Sequence, residues 1–133
     1  LQECIDSYLL TRSGDGSCGT PTLEFMATET STLRQRADAI IDQLPDAIQS
    51  HCLVTSSTAR TGGGTMPQSE IPSAAVTITP ENTSVTRLAR NLRTGTPSVV
   101  GTVEGGKLHL DMRTIFPHQD ADIVRALESV LSR

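Results

Sequence analysis

The sequence contains few aromatic residues and an odd number of cysteines. Two phenylalanines, one tyrosine and no tryptophan leave the core of this 133-residue chain to aliphatic side chains. Cys4, Cys18 and Cys52 are irregularly spaced, which indicates reduced thiols rather than a disulfide framework. No apolar run reaches the length of a transmembrane helix, and no secretory signal opens the chain. We therefore expect a cytoplasmic protein without a membrane partner. Because the chain starts at Leu1 rather than methionine, we also expect a fragment or a processed product.

Lysine is nearly absent, and the charge balance limits the classes of partner. The net charge is −4, and Lys107 is the single lysine among eleven basic residues. A protein dominated by nucleic-acid contacts would show a clustered excess of basic residues. We therefore expect the isolated chain to bind a polyanion weakly, through scattered arginines at most. The length suits one domain with a core of its own.

The hydrophobic pattern predicts seven elements in the order helix, strand, strand, helix, strand, strand, helix. The predictions are a helix from Ser31 that ends near Pro45, strands at 50–56 and 72–79, a helix with Ser84 as its N-cap, a hairpin within 98–112, and a helix at 119–131. This order predicts an α+β fold with a small, mainly antiparallel sheet and helices on one face.

Gly105-Gly106 predicts a two-residue hairpin turn, because both positions can adopt positive φ. The resulting register places one face in the core and exposes the other. The predicted core face contains Val99, Val103, Leu108, Leu110 and Met112, and the polar face contains Val100, Thr102, Glu104, Lys107, His109, Asp111 and Arg113. A polar sheet face usually meets water, a ligand or another domain.

The segment TARTGGGTMP at 58–67 is the first candidate site. Arg60 supplies a fixed cation, and the segment that follows offers bare backbone N–H groups at Gly62, Gly63, Gly64 and Thr65. This chemistry suits a carboxylate or a phosphate. The alternative is a flexible loop between two strands. A Walker phosphate loop is excluded, because Gly64 is followed by threonine and not by lysine.

Arg113, at the end of the polar face, is the second candidate. It either forms a salt bridge with the neighbours of Asp111 or binds an anion, and the structural role is favoured. No metal site is expected, because the three histidines lack the spacing of metal ligands. Lys107 follows the hairpin turn opposite Glu104. We expect it to be solvated, whereas a lysine that forms a Schiff base must be desolvated.

Two long motifs resemble a known enzyme family. The segments GGGTMPQSEIPSAAVTI at 62–78 and PSVVGTVEGGKLHLDMRTIFPHQD at 97–120 resemble the C-terminal region of the bacterial L-seryl-tRNA(Sec) selenium transferases. TPTLEFMATETSTLRQRADAI at 20–40 is similar to the stretch before the small domain of the family, and 1–10 to the helix beyond its cofactor-binding region. The departures are the apparent insertion SGDGSCG at 13–19, Thr65 for serine, Thr102 for arginine and Met112 for leucine.

The resemblance implies a cytoplasmic pyridoxal-phosphate enzyme of aminotransferase-like fold that works as a large homo-oligomer. Its substrates would be seryl-tRNA(Sec) and selenophosphate, and its product selenocysteinyl-tRNA(Sec). Residues 1–30 would be a helix tail and linker from a preceding large domain, and residues 31–133 the small C-terminal domain. The cofactor lysine would lie upstream, so this chain would contain no catalytic or cofactor-binding residue and would be inactive alone.

On this interpretation the polar sheet face looks toward the large domain. The segment from Arg60 to Thr65 and Arg113 would then be contacts for substrate or anion. We expect such an isolated domain to bind tRNA weakly.

Two other interpretations fit the residues. The chain would be a domain of a related pyridoxal-phosphate lyase acting on a small amino acid or amino sugar, or a free-standing α+β module for binding or oligomerisation. A preceding large domain with a cofactor lysine would distinguish the enzymes from the module.

Overall fold

The structure, a computed structural model, describes residues 21–60 and 70–132. In chain order these residues form α1 (Pro21–Ala27), α2 (Thr30–Asp42), α3 (Asp46–Gln49), β1 (Cys52–Arg60), β2 (Glu70–Ile78), α4 (Val85–Thr94), β3 (Thr102–Glu104), β4 (Lys107–Asp111), two 3-10 turns (Met112–Thr114 and Pro117–Gln119) and α5 (Asp120–Leu131). The predicted helix tail at 1–10, the inserted segment at 13–19 and the glycine segment at 62–65 lie outside the described residues.

Four antiparallel strands form one sheet with the order β1-β2-β4-β3. Strands β1 and β2 pair along their whole length, from Cys52 opposite Ile78 to Arg60 opposite Glu70. Strand β4 lies on the other side of β2, with Leu108 opposite Ile78. The predicted α+β class with a small antiparallel sheet is therefore confirmed.

The core lies between one sheet face and the helices. Strand β2 alternates as expected for a strand, so Ala74, Val76 and Ile78 point to the same side and are fully buried. The helical spacing of the apolar residues in α2, α4 and α5 buries one stripe of each helix against them. Those stripes are Leu33, Ala37 and Ile40 in α2, Leu88 and Leu92 in α4, and Ile123, Ala126 and Leu127 in α5.

Two local predictions are confirmed in detail. The Ser84 hydroxyl accepts a hydrogen bond from the backbone N–H of Arg87 at 3.2 Å and so caps the first turn of α4. Gly105 and Gly106 have φ values of +56° and +76°, which L residues with side chains rarely adopt. Their turn fixes the predicted register, with Glu104 opposite Lys107.

Part of the hairpin prediction is wrong. Val103 was expected in the core, but it is 44% exposed. It lies in the outermost strand, which is three residues long, so its side chain extends beyond the area that the helices cover. Val99 also lies outside the strand ladder, because its backbone N–H donates to Leu92 O at the end of α4, at 2.9 Å. Val99 itself is buried, as predicted.

An arginine–carboxylate pair joins α2 to the start of α5. Arg36 binds Asp120 through two parallel hydrogen bonds, from Nε to Oδ2 at 2.9 Å and from Nη2 to Oδ1 at 2.6 Å. Its Nη2 also donates to Ile115 O at 2.9 Å. The bidentate geometry and the burial of the two side chains, 15% and 23% exposed, make this pair more than a surface ion pair. Arg36 thereby fixes the segment between β4 and α5 on α2.

Within residues 21–60 and 70–132, none of the helices combines the length and the apolar character that a membrane span requires.

Gly101 lies too close to β4 for any side chain. A methyl group on it would lie 2.7 Å from Leu110 Cδ2 and 2.8 Å from the backbone oxygen of His109. We expect Gly101→Ala to lower the free energy of unfolding by about 1–3 kcal/mol, because the backbone must shift to admit the methyl group. Urea unfolding of the variant measures the loss. Val100→Ala is the matched control, because Val100 is 75% exposed and its truncation should change little. Equal unfolding midpoints for the two variants would contradict the close approach.

Candidate functional site

The face of the sheet opposite the core is lined with hydroxyl, imidazole and carboxylate groups. We call this surface the polar sheet face, and it consists of Thr55 and Ser57 from β1, Ser73 and Thr77 from β2, and His109 and Asp111 from β4. It arises from the same alternation that sends Ala74, Val76 and Ile78 into the core. Although they face away from the core, Ser73 and Thr77 are 1% and 0% exposed, because the neighbouring strands contribute side chains on both sides.

One row of the polar sheet face crosses three strands. The hydroxyls of Thr55 and Thr77 are 2.6 Å apart, and the Thr77 hydroxyl lies 2.9 Å from Nδ1 of His109. A hydroxyl both donates and accepts, so Thr77 can serve both neighbours at once. The row therefore gives the half-buried imidazole of His109 a fixed orientation. The sequence predicts the position of His109 on this face but not its partners.

The second row centres on the carboxylate of Asp111. Its Oδ1 accepts from the Ser73 hydroxyl at 2.6 Å and from the backbone N–H of Arg113 at 3.0 Å, and its Oδ2 accepts from the Ser57 hydroxyl at 3.0 Å. Three donors thus hold the carboxylate at the point where β4 turns into a 3-10 helix. Asp111 thereby links side chains of β1 and β2 to the backbone of the turn. The two serines were missed by the sequence analysis, because their approach to Asp111 depends on the pairing of β1 with β2.

The guanidinium of Arg113 is buried and surrounded by backbone carbonyl groups. The side chain is 5% exposed. Its Nη1 donates to Phe25 O at 2.5 Å and to Thr28 O at 2.9 Å, and its Nη2 donates to Pro72 O at 2.6 Å. Carbonyls at the end of α1 have no partner within the helix, and a cation is favourable at that end of the helix dipole. Arg113 therefore attaches α1 to β2 and β4.

This geometry bears on the two roles considered for Arg113. Both terminal nitrogens are bound to the chain, while Nε is buried without a hydrogen-bond partner among the described residues. The guanidinium thus acts as a structural link, with carbonyl oxygens in place of the expected carboxylate. An aromatic contact reinforces the link, because the rings of Phe25 and Phe116 are 4.7 Å apart. The helix α1 is therefore fixed on the domain at two points.

Arg60, the other candidate cation, lies at the end of β1. It is paired across the strands with Glu70, with 3.1 Å between Arg60 Nη2 and Glu70 Oε1. The two side chains are 72% and 59% exposed. An ion pair of this kind contributes little to stability, so its arginine can exchange partners. Gly62, Gly63, Gly64 and Thr65, the other members of this candidate site, lie outside the described residues.

Metal ligation and thiol chemistry have little support in the described part of the chain. Residues 21–60 and 70–132 contain no group of three histidine, cysteine, aspartate or glutamate side chains that would hold a metal ion. Cys52 lies at the start of β1, and burial raises its pKa from 9.0 to about 11. A thiol with this pKa is protonated at neutral pH and is a poor nucleophile.

The Arg113 contacts predict a structural defect on truncation. Arg113→Ala leaves the three carbonyls of Phe25, Thr28 and Pro72 without their donor, and we expect the free energy of unfolding to fall by about 3 kcal/mol. Urea unfolding measures the loss, with Arg125→Ala as the control. Arg125 forms an exposed pair with Asp122, so its loss should cost less than about 1 kcal/mol. Wild-type stability of Arg113→Ala, together with loss of turnover in the full-length protein, would instead identify an anion contact.

The burial of Cys52 predicts slow alkylation. With a pKa of about 11 in place of 9.0, the thiolate fraction at pH 8 is about 100-fold lower than in the unfolded chain, and iodoacetamide should react correspondingly slowly. The rate is measured by mass spectrometry of the Cys52 peptide. The same chain in urea is the control, where the thiol should titrate near its ordinary value of 9.0. Equal rates with and without urea would show that the thiol is not protected.

The comparisons with known proteins agree with one another. A model of the L-seryl-tRNA selenium transferase family matches residues 5–116. The chain is 34% identical over 113 residues to the L-seryl-tRNA(Sec) selenium transferase of Moorella thermoacetica, an alignment that covers 84% of this chain and 24% of that protein. It is 31% identical over 130 residues to the enzyme of the same name from Aliarcobacter butzleri, an alignment that covers 98% of this chain and 27% of that protein. It is 30% identical over 112 residues to the enzyme of the same name from Aquifex aeolicus, in an alignment that covers 84% of this chain and 25% of that protein.

The chain spans about a quarter of the length of these relatives. The family match covers most of the chain, and it includes all four strands, Asp111 at the end of β4 and Arg113 in the turn that follows. The chain therefore belongs to the L-seryl-tRNA selenium transferase family.

Proposed function

We propose that this chain is the small C-terminal domain of a pyridoxal-phosphate enzyme that converts seryl-tRNA(Sec) into selenocysteinyl-tRNA(Sec), with selenophosphate as the selenium donor. The observation that carries the proposal is the family match over residues 5–116, shared with relatives that bear the name L-seryl-tRNA(Sec) selenium transferase. In this proposal residues 1–30 lead from a large cofactor-binding domain, residues 31–133 form the small domain, and the enzyme works as a homo-oligomer.

The described residues do not fit the covalent attachment of pyridoxal phosphate. The cofactor needs a desolvated lysine, and the one lysine of this chain, Lys107, is exposed beside the hairpin turn. Its cross-strand partner Glu104 is exposed as well. We therefore place the cofactor lysine in the large domain. There the cofactor would supply the electron sink for the reaction at the seryl group.

In this proposal the chain positions other parts of the enzyme, and its own side chains take no part in the reaction. Hydrogen bonds among the side chains of the polar sheet face, centred on Thr77 and Asp111, make that face rigid. A rigid polar surface suits contact with another domain, because its groups need no reorganisation when the two surfaces meet. Arg113 would hold α1 on this domain, and so fix the direction from which the preceding chain arrives.

Arg60, exposed at the end of β1, would meet a small anionic substrate such as selenophosphate. Its partner Glu70 is exposed, so exchanging this carboxylate for a phosphate or selenophosphate oxygen costs little. The glycine segment at 62–64 would add backbone N–H donors beside it. In this proposal the long β1–β2 hairpin carries these groups toward the cleft between the small and large domains.

The cofactor assignment predicts that Lys107 is dispensable. In the full-length protein, Lys107→Ala should retain the absorbance of bound pyridoxal phosphate and wild-type turnover, because the side chain lies in solvent. Borohydride reduction followed by peptide mapping identifies the lysine that carries the cofactor, and we expect it outside residues 1–133. The wild-type protein treated in parallel is the control. Stoichiometric fixation on Lys107 would show that the proposal is wrong.

Activity assays of the full-length wild-type protein distinguish a selenium transferase from a related lyase. We expect conversion of seryl-tRNA(Sec) when selenophosphate is present, and no turnover of free serine or amino sugars. Turnover of a free amino acid with no reaction of the charged tRNA would favour the lyase.

A further inference from the structure

Three arginines share the solvent-facing side of α4. Arg87, Arg90 and Arg93 are all exposed, whereas Leu88 and Leu92 on the opposite side are buried. At 3.6 residues per turn, residues three apart are about 60° apart around the helix, so the three side chains fall within an arc of about 120°. At 1.5 Å per residue they extend about 9 Å along the axis. We call this surface the arginine face.

The arginine face belongs to a stretch of the chain, between Glu81 and Glu104, that carries positive charge alone. The stretch from Asn82 to Val103 contains these three arginines and no acidic residue. It contributes +3 to a net charge of −4, which leaves −7 for the remainder of the chain. Within residues 21–60 and 70–132, Arg60 and Arg125 each lie within ion-pair distance of a carboxylate, whereas none of the three arginines of α4 does so.

Helix stability does not account for this arrangement. Like charges three residues apart repel one another, and Arg87 lies in the first turn, at the positive end of the helix dipole. An exposed helix face usually mixes both signs, as α5 does by pairing Asp122 with Arg125. Arg93 lies in the last turn, where a cation is favourable, but Arg87 and the mutual repulsion of the three charges oppose the helix. A binding partner with several negative charges in a row would relieve the repulsion.

We propose that the arginine face binds the phosphate backbone of an RNA. The planar guanidinium pairs with two phosphate oxygens, and a row of arginines suits the row of charges along a nucleic-acid strand. Asn91, exposed beside Arg87, adds a neutral hydrogen-bond donor. Contacts of this kind position the nucleic acid without reading its sequence. That the polyanion is a tRNA rests on the proposed function and on the name that the relatives share.

Three phosphate contacts alone hold an RNA weakly, which agrees with the weak binding expected from the net charge of the isolated chain. The contacts gain strength when other parts of the full-length protein bind the same molecule. The test therefore uses the full-length protein.

The experiment compares two triple variants that remove the same charge. The test variant is Arg87→Gln, Arg90→Gln, Arg93→Gln, and the control is Arg34→Gln, Lys107→Gln, Arg125→Gln, whose exposed cations lie on other elements. Fluorescence anisotropy measures the affinity for a labelled tRNA(Sec) transcript over a series of salt concentrations. We expect the test variant to bind about tenfold or more weakly at about 0.1 M salt. The slope of log affinity against log salt should become shallower by about 2–3, since each phosphate contact contributes roughly 0.7–0.9.

Folding is checked by the melting temperature, and Arg90→Gln alone provides a second variant with about one third of the change in slope. Unchanged tRNA affinity and slope in the test variant would overturn the inference while leaving the proposed function intact. An equal loss in the control would also overturn it, because only the total charge would then matter. The inference would also be overturned if the test variant lost binding to phosphatidylserine vesicles but kept the tRNA affinity of the wild type. A wild-type protein that binds no tRNA would overturn the proposed function, and the inference with it.

Discussion

The burial of the Arg113 guanidinium against backbone carbonyls is the contact on which the organisation of this domain depends. A buried cation is costly unless it is hydrogen-bonded, and here the end of α1 and the backbone of β2 supply oxygens to both terminal nitrogens. The backbone N–H of Arg113 in turn binds Asp111, which holds the two serines of the polar sheet face. One residue thus connects the incoming helix, the central strand and the polar side chains. A second arginine, Arg36, fixes the next segment in the same way, through Asp120 and Ile115 O.

Charge is unevenly distributed over the domain. The guanidinium groups of Arg36 and Arg113 are bound to partners inside the domain, and Arg60 forms an exposed pair with Glu70. The arginine face of α4 is the opposite case, because it lies exposed on a helix without acidic residues. A net charge of −4 therefore conceals a local excess of positive charge. For the choice of a binding partner, this local excess is more informative than the net charge of the whole chain.

Much of the fold follows from local sequence patterns. The apolar spacing of α2, the Ser84 cap of α4 and the glycine pair at 105–106 each specify their own structure, and the structure confirms all three. What depends on distant contacts was not predicted. The helix α1 is held by Arg113 from the other end of the chain, and the exposure of Val103 follows from the position of β3 at the sheet edge.

The candidate site was likewise predicted only where local sequence patterns determine it. His109 and Asp111 were placed on the polar face because alternation within one hairpin determines it. Their partners Ser57, Ser73 and Thr77 were not, because strand order and register bring them together. The three-residue spacing of Arg87, Arg90 and Arg93 was visible in the sequence, yet its meaning required knowing which side of α4 faces the core.

The central position of β2 has a consequence for the order in which the domain forms and opens. Its pairing with β1 links residues near in sequence, whereas its pairing with β4 must close the long stretch between Ile78 and Leu108. Loop closure of that length costs conformational entropy before the contacts repay it, so the β1–β2 hairpin should form ahead of the complete sheet. Since β2 is paired on both sides and buried on both faces, its amide protons from Ala75 to Ile78 should exchange with solvent last, by global unfolding alone.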